Sequence, residues 1–329
     1  MILDQIRRNF SSIVLYTLVF LSIFWARAFA GLPLEELGFE CSIFTSVPEW
    51  IGNNLNLRLI LSMLVTLMLG LGLYQLNTNH MFMRGREHLL APFYVISLGA
   101  FSFLQSFAGV HIAAVFILLS INSLFSCYRN EYNLYGVFST FMYIGIATLF
   151  YAYSILLIIP AFTGLLRFKS IQPRDIIIMI AGLLCPCYFA SFVSYFLVGQ
   201  FMLPVHKTIE NLAFEFTPGF IGLTLFQYTF ALCAIIFIAV ETFRYMGVTR
   251  RGMTQKAVSC NVIFSRYFIF CALAVFIFAP HGKGIVIFAS IPGSVMLSNF
   301  FASLKHRFWS NFLFLLLLAT AIISCYISI

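Results

Sequence analysis

The sequence predicts an all-α, polytopic transmembrane helical bundle of about eleven spans. Three observations carry this. Of 329 residues, 61% are hydrophobic and only 9% charged, with a mean hydropathy of +0.98; soluble domains run about 45–50% apolar and about 25% charged. The apolar residues fall into runs near the roughly 20 residues that a helix needs to cross a bilayer. The charges sit in short patches between these runs, dense on alternate sides. A soluble globular protein, a disordered chain, a collagen and a disulfide-stapled secreted domain are all excluded.

The runs can be justified in order. The first, 12–30, follows Arg7-Arg8 as a signal peptide would, but it is too long for an h-region and reads as a retained signal anchor. The second is 58–76. The pairs 90–106 with 110–126, and 134–149 with 151–166, have almost no residues between partners, which predicts tight antiparallel hairpins. Runs 175–199 and 217–242 are long enough to tilt. Runs 261–279, 284–302 and 309–327 complete a single integral membrane domain, 1–329.

With the N-terminus in the cytoplasm and strict alternation, the positive-inside rule can be tested. Fifteen of the 19 Lys and Arg then lie inside, and only Arg27, Arg58, Lys207 and Lys283 lie outside. The net charge of +8 is thereby explained by topology, and nucleic acid drops out as a partner. The C-terminus lands outside. Seven of the eight cysteines fall in or beside apolar runs, and Cys185-Pro186-Cys187 reads as small packing residues.

Two outer segments have appreciable length, 31–57 and 200–216. The first holds Glu35, Glu36, Glu40 and Glu49, flanked by Arg27 and Arg58; the second holds His206, Lys207, Glu210 and Glu215. A carboxylate there can take a proton from an acceptor hydroxyl while a cation neutralises a phosphate leaving group. Solvated loop charges are the plain alternative. Lys207 and Glu210 are spaced to share one face of a helix. Arg27, among Phe24, Trp25 and Phe29, is either a snorkelling residue anchored by Trp25 or a phosphate ligand. His111 reads as a satisfied interface histidine, and Glu241 as the neutralised partner of Arg244. His281 and Lys283 occupy the Pro280-to-Gly284 turn and read as plain turn residues, with reach to a site at the outer surface as the alternative. Inside, Asn77–His88 with Arg84, Arg86 and His88 sets topology or meets anionic lipid.

Some signals are missing. The chain has no GxxxxGK[ST], HExxH or GxSxG. Nor do the runs hold the paired acids and lysines of proton-coupled transporters.

The stretch 132–189 carries a resemblance through Gly145-Ile-Ala-Thr-Leu-Phe-Tyr151, Leu166-Arg167, Arg174-Asp175, and Gly182 followed by Pro186. It resembles an uncharacterised family, a domain of unknown function, of multi-pass inner-membrane proteins of Gram-negative bacteria. That implies the bacterial inner membrane and supplies no activity. Members often carry an acid near 141–145, where this chain has Tyr143. The loop layout is similar to the GT-C glycosyltransferases, which implies a polyprenyl-phosphate-linked sugar as donor and a base in the first outer loop. The usual base there is Asp; this chain offers Glu35 or Glu36. Arg27, His206 and Lys207 would bind the carrier phosphate, with Glu210 and Arg58 beside them. The expected function is therefore transfer of a sugar from that lipid to a periplasmic acceptor. Two other readings stand beside it: a non-enzymatic subunit or scaffold of a secretion or envelope-assembly complex, and a lipid-linked glycan flippase. The expected partners are membrane lipids, a lipid-linked sugar and a membrane protein complex.

Overall fold

A computed structural model describes residues 10–32, 54–83, 89–130, 132–212, 223–247, 254–278, 281–304 and 306–327. Among them are twelve α-helices and no strand. In chain order these are α1 (Phe10–Phe29), α2 (Leu55–His80), α3 (Leu90–Gly99), α4 (Gly109–Ser126), α5 (Leu134–Phe150) and α6 (Ile158–Phe168). They continue as α7 (Pro173–Val198), α8 (Leu203–Asn211), α9 (Leu225–Gly247), α10 (Gln255–Ile277), α11 (Ile285–Ser303) and α12 (Arg307–Tyr326). Seven of them are long and apolar enough to cross a membrane, as in a multi-pass membrane protein; the shorter apolar helices occupy the remaining expected runs.

Local chemistry sets many helix ends. Asn133 accepts from the Gly136 amide at 2.8 Å and starts α5, and Thr254 does the same for the Ala257 amide at α10. Pro173 opens α7, where its missing N–H costs nothing. Asp175 reaches back to the Gln172 amide at 2.9 Å, and its other oxygen pairs with buried Lys169, also at 2.9 Å. Gly199 ends the same helix in the left-handed region, φ 77°, which glycine adopts without strain.

The centre of the bundle is α3 with α11. All ten residues of α3 are buried, as is 89% of the apolar stretch of α11. Helix α3 touches α1, α2, α11 and α12; α11 touches α3, α4, α9 and α10. Phe93 of α3 stacks on Phe301 of α11 at 5.0 Å and meets Phe314 of α12 edge-on at 5.8 Å. Phenylalanine is thus core material here as well as lipid-facing surface. Helices α5, α7 and α8 add outward from α4, and α6 lies on α10.

Two expected runs are not single helices. Run 90–106 breaks after Gly99, where a Cβ would come within 2.6 Å of the Phe24 ring. An irregular stretch with a 3-10 turn at Ser102–Leu104 follows, and all of it is buried. Run 151–166 begins as a 3-10 turn, Ala152–Leu157, and becomes α-helical only at Ile158. Pro160 gives the reason: in the first turn of a helix its missing N–H breaks no bond, whereas in the interior it would. The first expected pair is thus joined through the buried irregular stretch 100–108, and the second through the partly buried 3-10 turn Ala152–Leu157.

The glycines of the family resemblance have a packing role. A Cβ on Gly145 of α5 would lie 2.7 Å from the Leu183 carbonyl and 3.1 Å from Pro186 of α7; one on Gly182 would lie 2.6 Å from the Phe138 carbonyl. Small residues let these two backbones touch. Gly182→Leu is expected to destabilise the purified protein by about 1–3 kcal/mol, the usual cost of overpacking. Ile180→Ala, on the exposed side of the same helix, is expected to leave thermal unfolding unchanged.

Candidate functional site

Hydrogen bonds and ring contacts sort the helix ends into two groups. One end, called here the Arg27 end, gathers the C-termini of α1, α3 and α12 and the N-termini of α2 and α4. The opposite, His80 end holds His80 between Asn122 (3.0 Å) and Lys256 (3.2 Å). There Asn261 donates to the Phe82 carbonyl at 2.7 Å and accepts from Asn299 at 2.8 Å.

At the Arg27 end the irregular stretch 100–108 is held by side chains. Trp25 Nε1 donates to Ser62 Oγ (2.9 Å) and to the Gln105 carbonyl (3.2 Å), which also accepts from Ser62 Oγ. Gln105 Nε2 reaches the Gly99 carbonyl at 3.2 Å and Cys325 Sγ at 3.1 Å. Ser324 donates to the Ala100 carbonyl at 2.8 Å. His111 accepts the Ala108 amide on Nδ1 and gives its Nε2 proton to the Leu104 carbonyl at 2.9 Å, which assigns a single neutral tautomer. His111 is thus a satisfied core residue.

The candidate residues read from the sequence divide three ways. Glu35 and Glu36 lie outside the described residues, as do Glu40, Glu49, Arg84, Arg86, His88 and Glu215. Arg27 is drawn into the bundle, 1% exposed, and its Nη1 donates to the Cys325 carbonyl. That carbonyl is among the last four of α12, which have no donor within the helix. Arg58 is half-buried near the start of α2 at the same end. His206 and Glu210 are exposed and Lys207 half-buried on α8, a short helix lying on α7, α5 and the 152–157 turn. That turn meets α10 and α11 through Tyr153 with Phe278 (5.7 Å) and Tyr151 with Phe288 (5.8 Å). The four cations assigned outside by the charge count therefore share one end of the bundle, although Arg27 is buried there and His206 faces outward.

An apolar groove opens between α9 and α10, with room of about 160 Å³. Both helices lean on α11, which forms its floor. They come together at the His80 end, where Thr242 and Ser265 hydroxyls are 3.5 Å apart. Among the described residues lining the groove, Lys283 is the one that carries a charge, and Ser97 and Phe101 reach it from α3 and the break that follows. The apolar patterns of α9 and α10 do not show which space between helices is left open, so the groove was not legible in the sequence.

Two other charges lie within helices. Glu241 is buried within α9, with Ser303 Oγ 3.5 Å from Oε2. Arg266 is exposed midway along α10, and its Nη1 donates to the Thr163 carbonyl at 3.2 Å. A charge at that depth commonly marks function. Burial pushes the Cys127 thiol up to about 11, and Cys185 and Cys187 are half-buried on α7.

No protein-family model, curated protein or solved structure matches the chain. Arg27→Met should lower the stability of the purified protein by about 1.5–3 kcal/mol, the value of a hydrogen bond from a charged donor. Calorimetry or detergent unfolding reads this directly, and an unchanged midpoint would remove the capping role.

Proposed function

We propose that the protein is a GT-C-like glycosyltransferase of the bacterial inner membrane. It moves a sugar from a polyprenyl-phosphate donor to a periplasmic acceptor. One observation supports this most: the rare outer cations share the end of the bundle at which an apolar groove carries its single cation. An amphiphilic donor needs that arrangement, with its chain among apolar side chains and its phosphate at a cationic rim.

In this reading Glu35 or Glu36 takes the proton of the acceptor hydroxyl. The acceptor oxygen bonds to the anomeric carbon as the bond from that carbon to the phosphate oxygen breaks, and polyprenyl phosphate leaves. His206 and Lys207 on α8, with Arg58 at the start of α2, neutralise the departing phosphate. Glu210 lies one turn further along α8, beside the same proposed site. Arg27 adds positive potential from within the bundle. The groove's apolar lining suits a lipid chain and not a sugar in transit, which sets this reading above a flippase.

The test is turnover of labelled polyprenyl-phosphate mannose by the full chain in vesicles. The double variant Glu35→Gln, Glu36→Gln is expected to lose about a hundredfold or more in rate, as removal of a general base does. Undiminished turnover by the variant would remove the proposed base. No turnover, with partner chains co-purifying, would replace the enzyme by a membrane scaffold.

A further inference from the structure

We infer that the seam between α6 and α10, at the His80 end, binds the headgroup of an anionic phospholipid through Arg129, Arg167 and Arg266. The inference goes beyond the glycosyltransferase reading and does not depend on it, because that reading uses the opposite end of the bundle.

The two helices pack directly, and arginines bridge them. A Cβ on Gly164 of α6 would lie 3.4 Å from Ile263 of α10. Arg266 of α10 donates across the seam to the Thr163 carbonyl of α6 at 3.2 Å. Arg129, just beyond α4, gives its backbone amide to the Phe168 carbonyl at the end of α6, at 3.3 Å. Its Nη2 donates to Gln255 Oε1 at the start of α10. Arg167 sits between those two carbonyls in the last turn of α6. From Thr163 to Phe168 is about 7.5 Å along the helix, at about 1.5 Å per residue. The three arginines are therefore gathered along little more than one turn.

Their charge has no carboxylate to meet among the described residues. All three are exposed. Asp175 is buried against Lys169 at 2.9 Å, Glu210 lies on α8 and Glu241 is buried in α9. Arg266 uses one of its five N–H donors on Thr163, and Arg167 makes no hydrogen bond among the described residues. A guanidinium fork matches the oxygens of a phosphate. Away from the His80 end the same surface turns apolar. Ile269 and Leu273 follow Arg266 at helical spacing on α10, and Ile159 lies toward the other end of α6; all three are more than half exposed. Acyl chains can lie along that stripe while the phosphate meets the arginines, and a soluble phosphate would have no use for it. The charge count places this end on the cytoplasmic side, where basic sites between membrane helices hold anionic headgroups.

The detergent-solubilised full chain is titrated separately with dioleoyl phosphatidylglycerol and dioleoyl phosphatidylcholine, and bound lipid is read by native mass spectrometry. Phosphatidylglycerol is expected to bind at least about tenfold more tightly, the fold-change that a charge-assisted contact is worth. Millimolar glycerol 1-phosphate should not displace it. Arg167→Gln with Arg266→Gln should weaken phosphatidylglycerol by about tenfold and leave phosphatidylcholine as it was. Thermal midpoints show whether each variant folds. Arg167→Gln alone removes no hydrogen bond within the described residues, so it keeps the test open should the double variant fail to fold, and it should weaken phosphatidylglycerol in the same direction. Equal binding of the two lipids, or phosphatidylglycerol binding untouched in the folded variants, would overturn the site. Displacement by glycerol 1-phosphate would overturn it as well, by making the ligand a soluble phosphate.

Discussion

The peptide groups of 100–108 must be satisfied inside an apolar bundle, and much of the structure answers to that requirement. Bilayer hydrocarbon offers no water, so irregular backbone survives at depth only when protein groups bond to it. Here Trp25, Ser62, His111 and Ser324 supply those bonds from four different helices. Each bond fixes a helix relative to the break after Gly99. The bundle is therefore tied together at one end by polar contacts, while aromatic packing around Phe93 joins its middle.

The same break shapes the groove. A continuous helix through 90–106 would carry its side chains past Phe101 in one regular spiral. Ending α3 at Gly99 leaves Ser97 on the helix and Phe101 beyond it, both facing the space between α9 and α10. Phe101 meets Phe230 of α9 at 5.8 Å, edge to face. The polar knot and the apolar slot are thus two sides of one irregular segment.

The His80 end is built differently. Its amides and charges pair among themselves: Asn299 with Asn261, Asn261 with the Phe82 carbonyl, Lys169 with Asp175. These bonds close the bundle around the turn after α2, and Thr242 with Ser265 draws α9 to α10 there. Among the described residues that line the groove, its cation, Lys283, lies toward the Arg27 end.

Hydrophobic run length and charge spacing are local properties, and they made the helical class and the positions of the apolar segments legible. Asn133, Thr254, Pro173 and Gly199 each act within a few residues of themselves. Arg27 shows where local reading stops: its neighbours Trp25 and Phe29 suggest an interface, yet its bonded carbonyl belongs to Cys325 at the far end of the chain. Lys283 reads as a turn residue because the groove beside it is lined by helices that lie elsewhere in the chain. By itself the sequence determined that the chain forms apolar helices and how its charges alternate, since both follow from short-range hydrophobicity and backbone chemistry. Only tertiary packing decided where α3 breaks, which cation is buried and where an apolar groove opens, because each depends on contacts between residues far apart in the chain.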